Sequence, residues 1–463
     1  MSKIILILFH TIIYININTI FSEKILKIPF KYESTSKYFV NQSHPVTNKF
    51  MSQLLIDISI GTPPQKLKCS LNLNNYHSFF INKEISPVLL PSYYNKSLSN
   101  TYNCTKRSEY YWNEDFTLAE TFSDNIKIFS KDDKLILNNK FNFLLIDELK
   151  YNEYYAPGII GLRLENEKGE QKSQINENRF IYQIKKKNFT NTEIFYFDFN
   201  TNDENGNFVI GEELLDDTNY KSIYAGIIKL SMYNFNPEWA FNFDSIYYGN
   251  KELLESYSKD AIIKSEYGLT VGPTNYEIII NEFFKNENKC SLNYTKMEYT
   301  YFKYYSCEED FDETKMDDLI FELKSINFNF TFSGKELFYI ENKKKYFKIL
   351  FVFSNSQSYW YLGREFLKKY RLRFNPDKKL IYIPLGNNEN ETKTENNQIS
   401  ENKSIYKQVY IWIILTFAIV IIGLVLFIIF YLKKYPRKKR ANELIDDEDY
   451  DYTQKDNLDQ NIN

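Results

Sequence analysis

QLLIDISIGTPPQKLKCSL, residues 53–71, sets the pattern by which the rest of the chain is read. QLLIDISI is a run of aliphatic and β-branched residues broken by Asp57 and Ser59, which is the composition of a strand, and Gly61, Pro63 and Pro64 punctuate its end. The same grammar recurs from about Ser52 to Leu385 in EIFYFDF (193–199), INFNFTF (326–332), KILFVF (348–353) and KLIYIPL (379–385), each bounded by Asn, Asp, Gly or Lys clusters. Helical periodicity is confined to pieces such as NYEIIINEFF (275–284) and GREFLKKY (363–370). The fold class expected is therefore all-β.

Composition agrees and excludes other classes. The chain has 463 residues, 43% of them apolar, ample for a packed core and incompatible with disorder throughout. Its 39 Tyr and 38 Phe against 14 Gly and 12 Pro favour strands. A formal net charge of −3 offers no basic excess to neutralise a phosphate backbone, so nucleic acid is not an expected partner. There is no glycine-rich phosphate loop and no repeat of 20 to 50 residues.

Two apolar segments set the expected topology. Residues 1–22, with Lys3 ahead of an apolar stretch and small polar residues ending near Ser22, read as a secretory signal peptide. Residues 409–432 carry no charge over 24 positions and reach about 36 Å as a helix, enough to span a bilayer with tilt. KKYPRKKR (433–440) then places the tail 433–463 in the cytosol, which makes the chain a single-pass type I membrane protein with an extracellular or endomembrane-luminal ectodomain. Residues 386–408, polar and unable to bury a core, read as a stalk. All four cysteines precede it. Three connectivities are possible; the short local loop favours Cys290–Cys307, leaving Cys69–Cys104. Eight Asn-x-Ser/Thr acceptors, Asn41, Asn95, Asn103, Asn188, Asn293, Asn329, Asn390 and Asn402, are glycosylation candidates. No cysteine spacing suits zinc, and neither metal nor cofactor is expected.

Six motifs, in order, carry a family resemblance. GTPPQ (61–65) with its flanking runs resembles the first β-hairpin of the pepsin-like aspartic proteases, peptidase family A1, in which this turn leads into the strand ending at the first catalytic Asp-Thr-Gly loop. YYAPGIIGLRL (154–164) and GNFVIGEEL (206–214) resemble later strands of the first lobe. WAFNFDSIYYGNK (239–251) resembles the opening of the second lobe, AIIKSEYGLTVGP (261–273) its catalytic loop, and YWYLGREFLKKYRLRFNPDKKLIYIPL (359–385) the closing segment. The resemblance covers about 330 residues and implies a bilobal fold with an interlobe cleft. It implies an N-terminal lobe over 49–222 and a C-terminal lobe over 223–385, preceded by a shortened pro-segment-like region, 23–48.

The chemistry departs from the family at its centre. Aspartic proteases need two carboxylates sharing a proton, one to deprotonate water and one to polarise the scissile carbonyl. Here no Asp-Thr-Gly or Asp-Ser-Gly occurs. GTPPQ aligns Asn72, Leu73 and Asn74 with the first triplet, and GLTVGP aligns Lys264, Ser265 and Glu266 with the second. Asn72 cannot take a proton from water, Lys264 brings an ammonium, Leu73 cannot make the family's cross-lobe hydroxyl bond, and Glu266 beside Lys264 reads as an ion pair. Asp57, Asp217 and Asp244 fall in the wrong places to substitute, and a Cys69–His77 nucleophile pair has little support. The flap counterpart, EYYWNEDFTLAETF (109–122), has no glycine; Tyr111 and Trp112 are its cleft candidates. The expectation is a membrane-anchored pseudoprotease that binds an extended peptide or protein segment, with Lys264 favouring acidic ligands. The alternatives are an active endopeptidase with unorthodox residues and a surface glycoprotein that keeps the fold as a spacer.

Overall fold

The computed structural model describes residues 24–34, 44–85, 92–110, 116–149, 156–164, 176–200, 205–212, 219–226, 238–252, 259–297, 300–353 and 358–385, with six positions between 422 and 430. The chain divides into Met1–Gly386 and Asn387–Asn463. In the second unit the six described positions are helical and carry exposed Ile422, Val425, Leu426, Ile429 and Phe430. Among the described residues no helix is long and apolar enough to cross a membrane. The expected signal peptide, stalk, tail and most of the span lie outside the described residues, as do Tyr111, Trp112, Asn41, Asn390 and Asn402.

The first unit is mostly β. Ser52–Ile60 is buried at every position except Asp57 and its half-buried first residue, because the strand is covered on both faces. In Gln65–Asn72 the exposed Lys66 and Lys68 alternate with buried Leu67, after which Cys69 to Asn72 are all buried as the strand enters the interior. The turn between them is fastened by a buried carboxylate. Asp124 accepts from Tyr94 Oη (2.7 Å), Ser99 Oγ (2.7 Å) and Thr101 Oγ1 (2.5 Å), and Ser99 Oγ in turn accepts the Thr62 amide at 3.1 Å. Gly61 sits at φ +86°, and a Cβ there would lie 2.7 Å from Ser99 Oγ, so only glycine fits.

Among the described residues thirteen strands form one sheet. Its middle runs Asn205–Ile210, Leu26–Ser34, Ser52–Ile60, Gln65–Asn72, Gly158–Gly161, Phe79–Ile81, Leu135–Leu149. Leu26–Ser34, in the pro-segment-like region, is thus an inner strand paired on both sides, Leu26 with Ile210 and Lys31 with Leu55. The far side is completed by the last strands of the first unit: Phe374 pairs with Phe195, and Leu380–Pro384 with Tyr220–Tyr224 at the edge. There Phe195 stacks on Phe374 at 5.1 Å and Trp239 meets both edge-on, at 5.9 Å and 4.9 Å. Residues 240–362 build a nine-stranded and a four-stranded sheet.

The two halves repeat one wiring that the sequence does not display. Cys69–Asn72 pairs in parallel with Gly158–Gly161, which pairs antiparallel with Phe79–Ile81, itself parallel to 144–146. Ala261–Ile263 pairs in parallel with Trp360–Leu362, which pairs antiparallel with Thr270–Gly272, itself parallel to Ile349–Phe351. Both partner strands end in a glycine pressed on backbone: a Cβ on Gly161 would meet His77 O at 2.3 Å, and one on Gly363 would meet Leu269 O at 2.3 Å.

The cysteines correct the expected pairing in part. Cys290 and Cys307 face each other on adjacent strands and are bridged, Cα–Cα 4.0 Å. Cys69 and Cys104 are free. Cys69 sits mid-sheet with Sγ where a Gly158 side chain would be, whereas Cys104 is exposed on the outermost strand, Asn103–Tyr110, so the sheet itself keeps them apart. Burial also raises the Cys69 thiol well above its ordinary range. Native alkylation should therefore modify one thiol, at Cys104, and Cys69 only after denaturation; peptide mapping that finds a 69–104 bridge would contradict the fold.

Candidate functional site

Two loops, each at the end of a strand in the repeated wiring, meet in the interior of the first unit. Gln65–Asn72 delivers Asn72, Leu73 and Asn74; Asp260–Ile263 delivers Lys264, Ser265 and Glu266. The meeting point is the Ser265 hydroxyl, wholly buried, which accepts the Leu73 amide (2.9 Å) across 192 positions of chain and donates to Leu71 O (3.0 Å) across 194. Sequence reasoning counted the cross-loop hydroxyl bond as lost with Leu73. Half of it survives, because the backbone of residue 73 takes part whatever its side chain.

Asn72 holds its own loop. Its Oδ1 accepts the amides of Asn74 (2.7 Å) and Asn75 (3.2 Å), and its carbonyl accepts the Leu162 amide (2.9 Å). Asn72 is thereby oriented with its acceptor turned into the loop, and its other polar atom is an amide nitrogen, which can donate but cannot take up a proton. Arg163 Nη1 bonds Asn74 O at 3.1 Å from the neighbouring strand end.

Lys264 is buried, and its ammonium has company. Nζ donates to Asn74 Oδ1 (2.5 Å), lies 3.7 Å from Glu238 Oε1 and 3.8 Å from Glu266 Oε1, and stands 5.4 Å from the Tyr361 ring centre. The Lys264–Glu266 ion pair expected from the sequence is present; Glu238 is an addition. Burial raises the Glu266 carboxyl above its ordinary range, with Lys264 opposing the shift and Glu238 reinforcing it. Two carboxylates therefore already face the Lys264 ammonium before any acidic ligand meets it.

Two further residues brace the pair of loops, one on each side. Arg364, buried at the start of the helix Arg364–Tyr370, donates to Ser265 O (3.2 Å) and to the carbonyl and hydroxyl of Ser52, joining the loop to the start of the first hairpin. Trp239 Nε1 donates to Leu162 O at 2.7 Å. Trp239 and Arg364 lie within the quoted motifs and Glu238 immediately before one, yet nothing in their spacing announced a role in the site. Asp57 and Asp244 stand elsewhere, on the first strand and beside Lys324, whose amide bonds Asp244. A cavity of about 1170 Å³ lined by Lys31, Leu55, Lys66, Lys127 and Pro157 includes none of the six loop residues.

His77, beside the first loop, is buried, and its imidazole is pushed down to about 3 by burial, with Arg163 and Arg179 adding to it. It is neutral in the folded state over most of the acid range, so it is no partner for a thiolate at Cys69.

Two predictions follow from this geometry. Ser265→Ala should destabilise the protein by about 1–3 kcal/mol in urea unfolding, because a buried amide loses its acceptor. For His77 the folded pKa lies below the unfolded value near 6.5, so its contribution is complete above 6.5 and is lost as pH falls toward 3, at on the order of 1 kcal/mol per pH unit. His77→Asn should flatten the acid limb of a stability–pH curve, and an unchanged slope would refute the assignment.

No curated protein matches the chain significantly. The family model of the eukaryotic aspartyl proteases matches residues 53–384, from the strand before the GTPPQ turn to the last strand of the sheet. The matched span contains both loops, the repeated strand wiring around them and the hydroxyl that joins them, and on that match the chain belongs to the eukaryotic aspartyl protease family.

Proposed function

We propose that this chain is a pepsin-like pseudoprotease: a bilobal member of its family, held in a membrane, that binds extended peptide or protein segments between its lobes without hydrolysing them. On this reading Asn72 and Lys264 stand where the family has its catalytic aspartates. One observation carries it, the Lys264 ammonium resting on Asn74 with Glu238 and Glu266 around it. A shared-proton dyad requires two carboxylates close together with one pKa forced up and the other down, and a cation between acids removes the repulsion that separates the two values. Glu238 and Glu266 are therefore poor substitutes for the dyad, although both sit beside the loops. Ser265 and Arg364 keep the loop scaffold, so what is missing is the acid pair and not the frame.

The ligand expected is a segment in extended conformation, met by backbone groups and aromatic side chains, including Tyr361 and the Tyr111 and Trp112 candidates. The ectodomain is placed in the extracellular space or an endomembrane lumen by the reading of residues 1–22 and 409–432. Exposure of Asn103, Asn188 and Asn329 is compatible with glycan acceptance there, whereas the Asn293 amide nitrogen donates to Ser291 O and to the Ser291 and Ser306 hydroxyls.

The test is proteolysis by purified protein. Incubated with a denatured protein substrate from acid to neutral pH, the wild type should give no pepstatin-sensitive cleavage; cleavage abolished by Asn72→Ala or Lys264→Ala would establish the endopeptidase reading instead. Asn72→Asp with Lys264→Asp should not restore activity, since Glu238 and Glu266 would then crowd the new pair with like charge and Leu73 would still lack a hydroxyl. Gain of function should require Leu73→Thr, Asn74→Gly, Glu266→Gly and Glu238→Gln in addition. Ser265 can stay as it is, because its hydroxyl already bridges the loops.

A further inference from the structure

An exposed aromatic face stands on the strands Cys290–Met297, Thr300–Glu308 and Ile349–Val352. Strand alternation sends Thr295 and Met297 inward and Leu292, Tyr294 and Lys296 outward. In register, Tyr294 opposes Lys303 and Lys296 opposes Tyr301, and the Phe353 amide bonds Tyr301 O at 2.8 Å. The result is a patch in which Phe353 is 57% exposed, Tyr294 54%, Tyr301 52% and Leu292 36%. The rings touch one another, Phe353 lying 5.8 Å from Tyr294 and 6.5 Å from Tyr301, and Lys296 and Lys303 lie over Tyr301 and Phe353 at 5.8 Å each. Single exposed apolar residues are ordinary; three touching aromatic rings with cationic stems across them, and Leu292 exposed on the same strand face, mark a surface that is covered in use.

We propose that this face rests on the bilayer in which the chain is anchored, an inference that depends on the membrane-anchored reading of residues 409–432. Tyrosine and phenylalanine rings flanked by lysine are the side chains that settle at a lipid–water interface, rings at the headgroup level and ammonium groups toward phosphate. Lys303 is paired with Glu277 at 2.7 Å, so Lys296 is left as the cation for lipid phosphate and the face is mainly aromatic. The length of the intervening chain fits the occupant. The strand Leu380–Pro384 ends the sheet and the apolar run starts at Val409, so only 24 residues of chain, 385–408, separate this unit from the expected anchor. A surface held that near a bilayer meets it at an effective concentration in the millimolar range, so weak interfacial contacts suffice.

The experiment uses the full-length protein reconstituted in phosphatidylcholine vesicles. In a Cys104→Ser background the remaining thiol is the buried Cys69, so Phe353→Cys accepts a solvent-sensitive fluorophore, and Leu98→Cys, 55% exposed on the other half of the unit, serves as the control. The label at 353 should emit to the blue of that at 98 and resist quenching by aqueous iodide, and Tyr294→Ser with Tyr301→Ser should abolish the difference. Equal emission and quenching at both positions in protein that floats with the vesicles would overturn the inference while leaving the anchor intact. Protein that does not float would overturn the anchored reading and this inference with it. Protection at 353 confined to native membranes and absent from pure lipid would assign the face to a protein partner instead.

Discussion

The Ser265 hydroxyl joins the two loops at the centre of this fold. Ser265 Oγ lies in a buried chain of bonds from the Leu73 amide through the hydroxyl to Leu71 O, and each of the two loops it connects is the terminus of a strand that penetrates its sheet. Away from water such a bond is expensive to leave unmade, since the amide of residue 73 has no solvent to turn to. The other tie-points are arranged around it. Arg364 grips the carbonyl of Ser265 itself and Ser52 beyond, Trp239 grips Leu162 just past the parallel strand, and Lys264, the residue before the serine, reaches Asn74, the residue after the leucine.

The charged groups beside that bond are costly to bury and are retained together. An ammonium at the Lys264 position would be strongly disfavoured alone; with Asn74, Glu238, Glu266 and the Tyr361 face it is partnered on several sides. Removing one member leaves the others uncompensated, so these residues are coupled and belong to one electrostatic unit. Glu238 Oε2 and Glu266 Oε2 are buried without a hydrogen-bond partner, which places the acceptor capacity of the unit in excess of its donors.

Much of this architecture was legible in the sequence, for reasons that mark where legibility stops. Strands such as Ser52–Ile60, Phe328–Phe332 and Leu380–Pro384 fell where alternating or continuous apolar runs placed them, and the helices Thr274–Lys285 and Arg364–Tyr370 where 3.6-residue periodicity did. The GTPPQ turn announced itself because glycine and proline carry backbone information locally. Contacts made across long separations left no such trace: Ser265 with Leu73, Lys264 with Glu238 and Arg364 with Ser52 depend on how sheets pack. Counting cysteines paired Cys69 with Cys104 because parity ignores side-chain direction, and in the sheet one faces Gly158 while the other faces solvent. The repeated wiring was readable only through the family resemblance, which implies two symmetry-related halves, because strand pairing repeats between the halves and residue identity does not.

The placement of Leu26–Ser34 between Asn205–Ile210 and Ser52–Ile60 has a consequence for biogenesis. A strand emerging first from the ribosome finds one neighbour within about thirty residues and the other only some 180 residues later, and the same sheet waits for Phe374 and Leu380–Pro384 before its outer edge closes. The sheet cannot mature progressively from its N-terminus. Its early strands stay with unpaired edges for most of synthesis, exposed to whatever else can add a strand, and completion is a late event that engages nearly the whole span from Leu26 to Pro384 at once. A chain truncated anywhere before that last strand would be an aggregation hazard rather than a smaller folded domain.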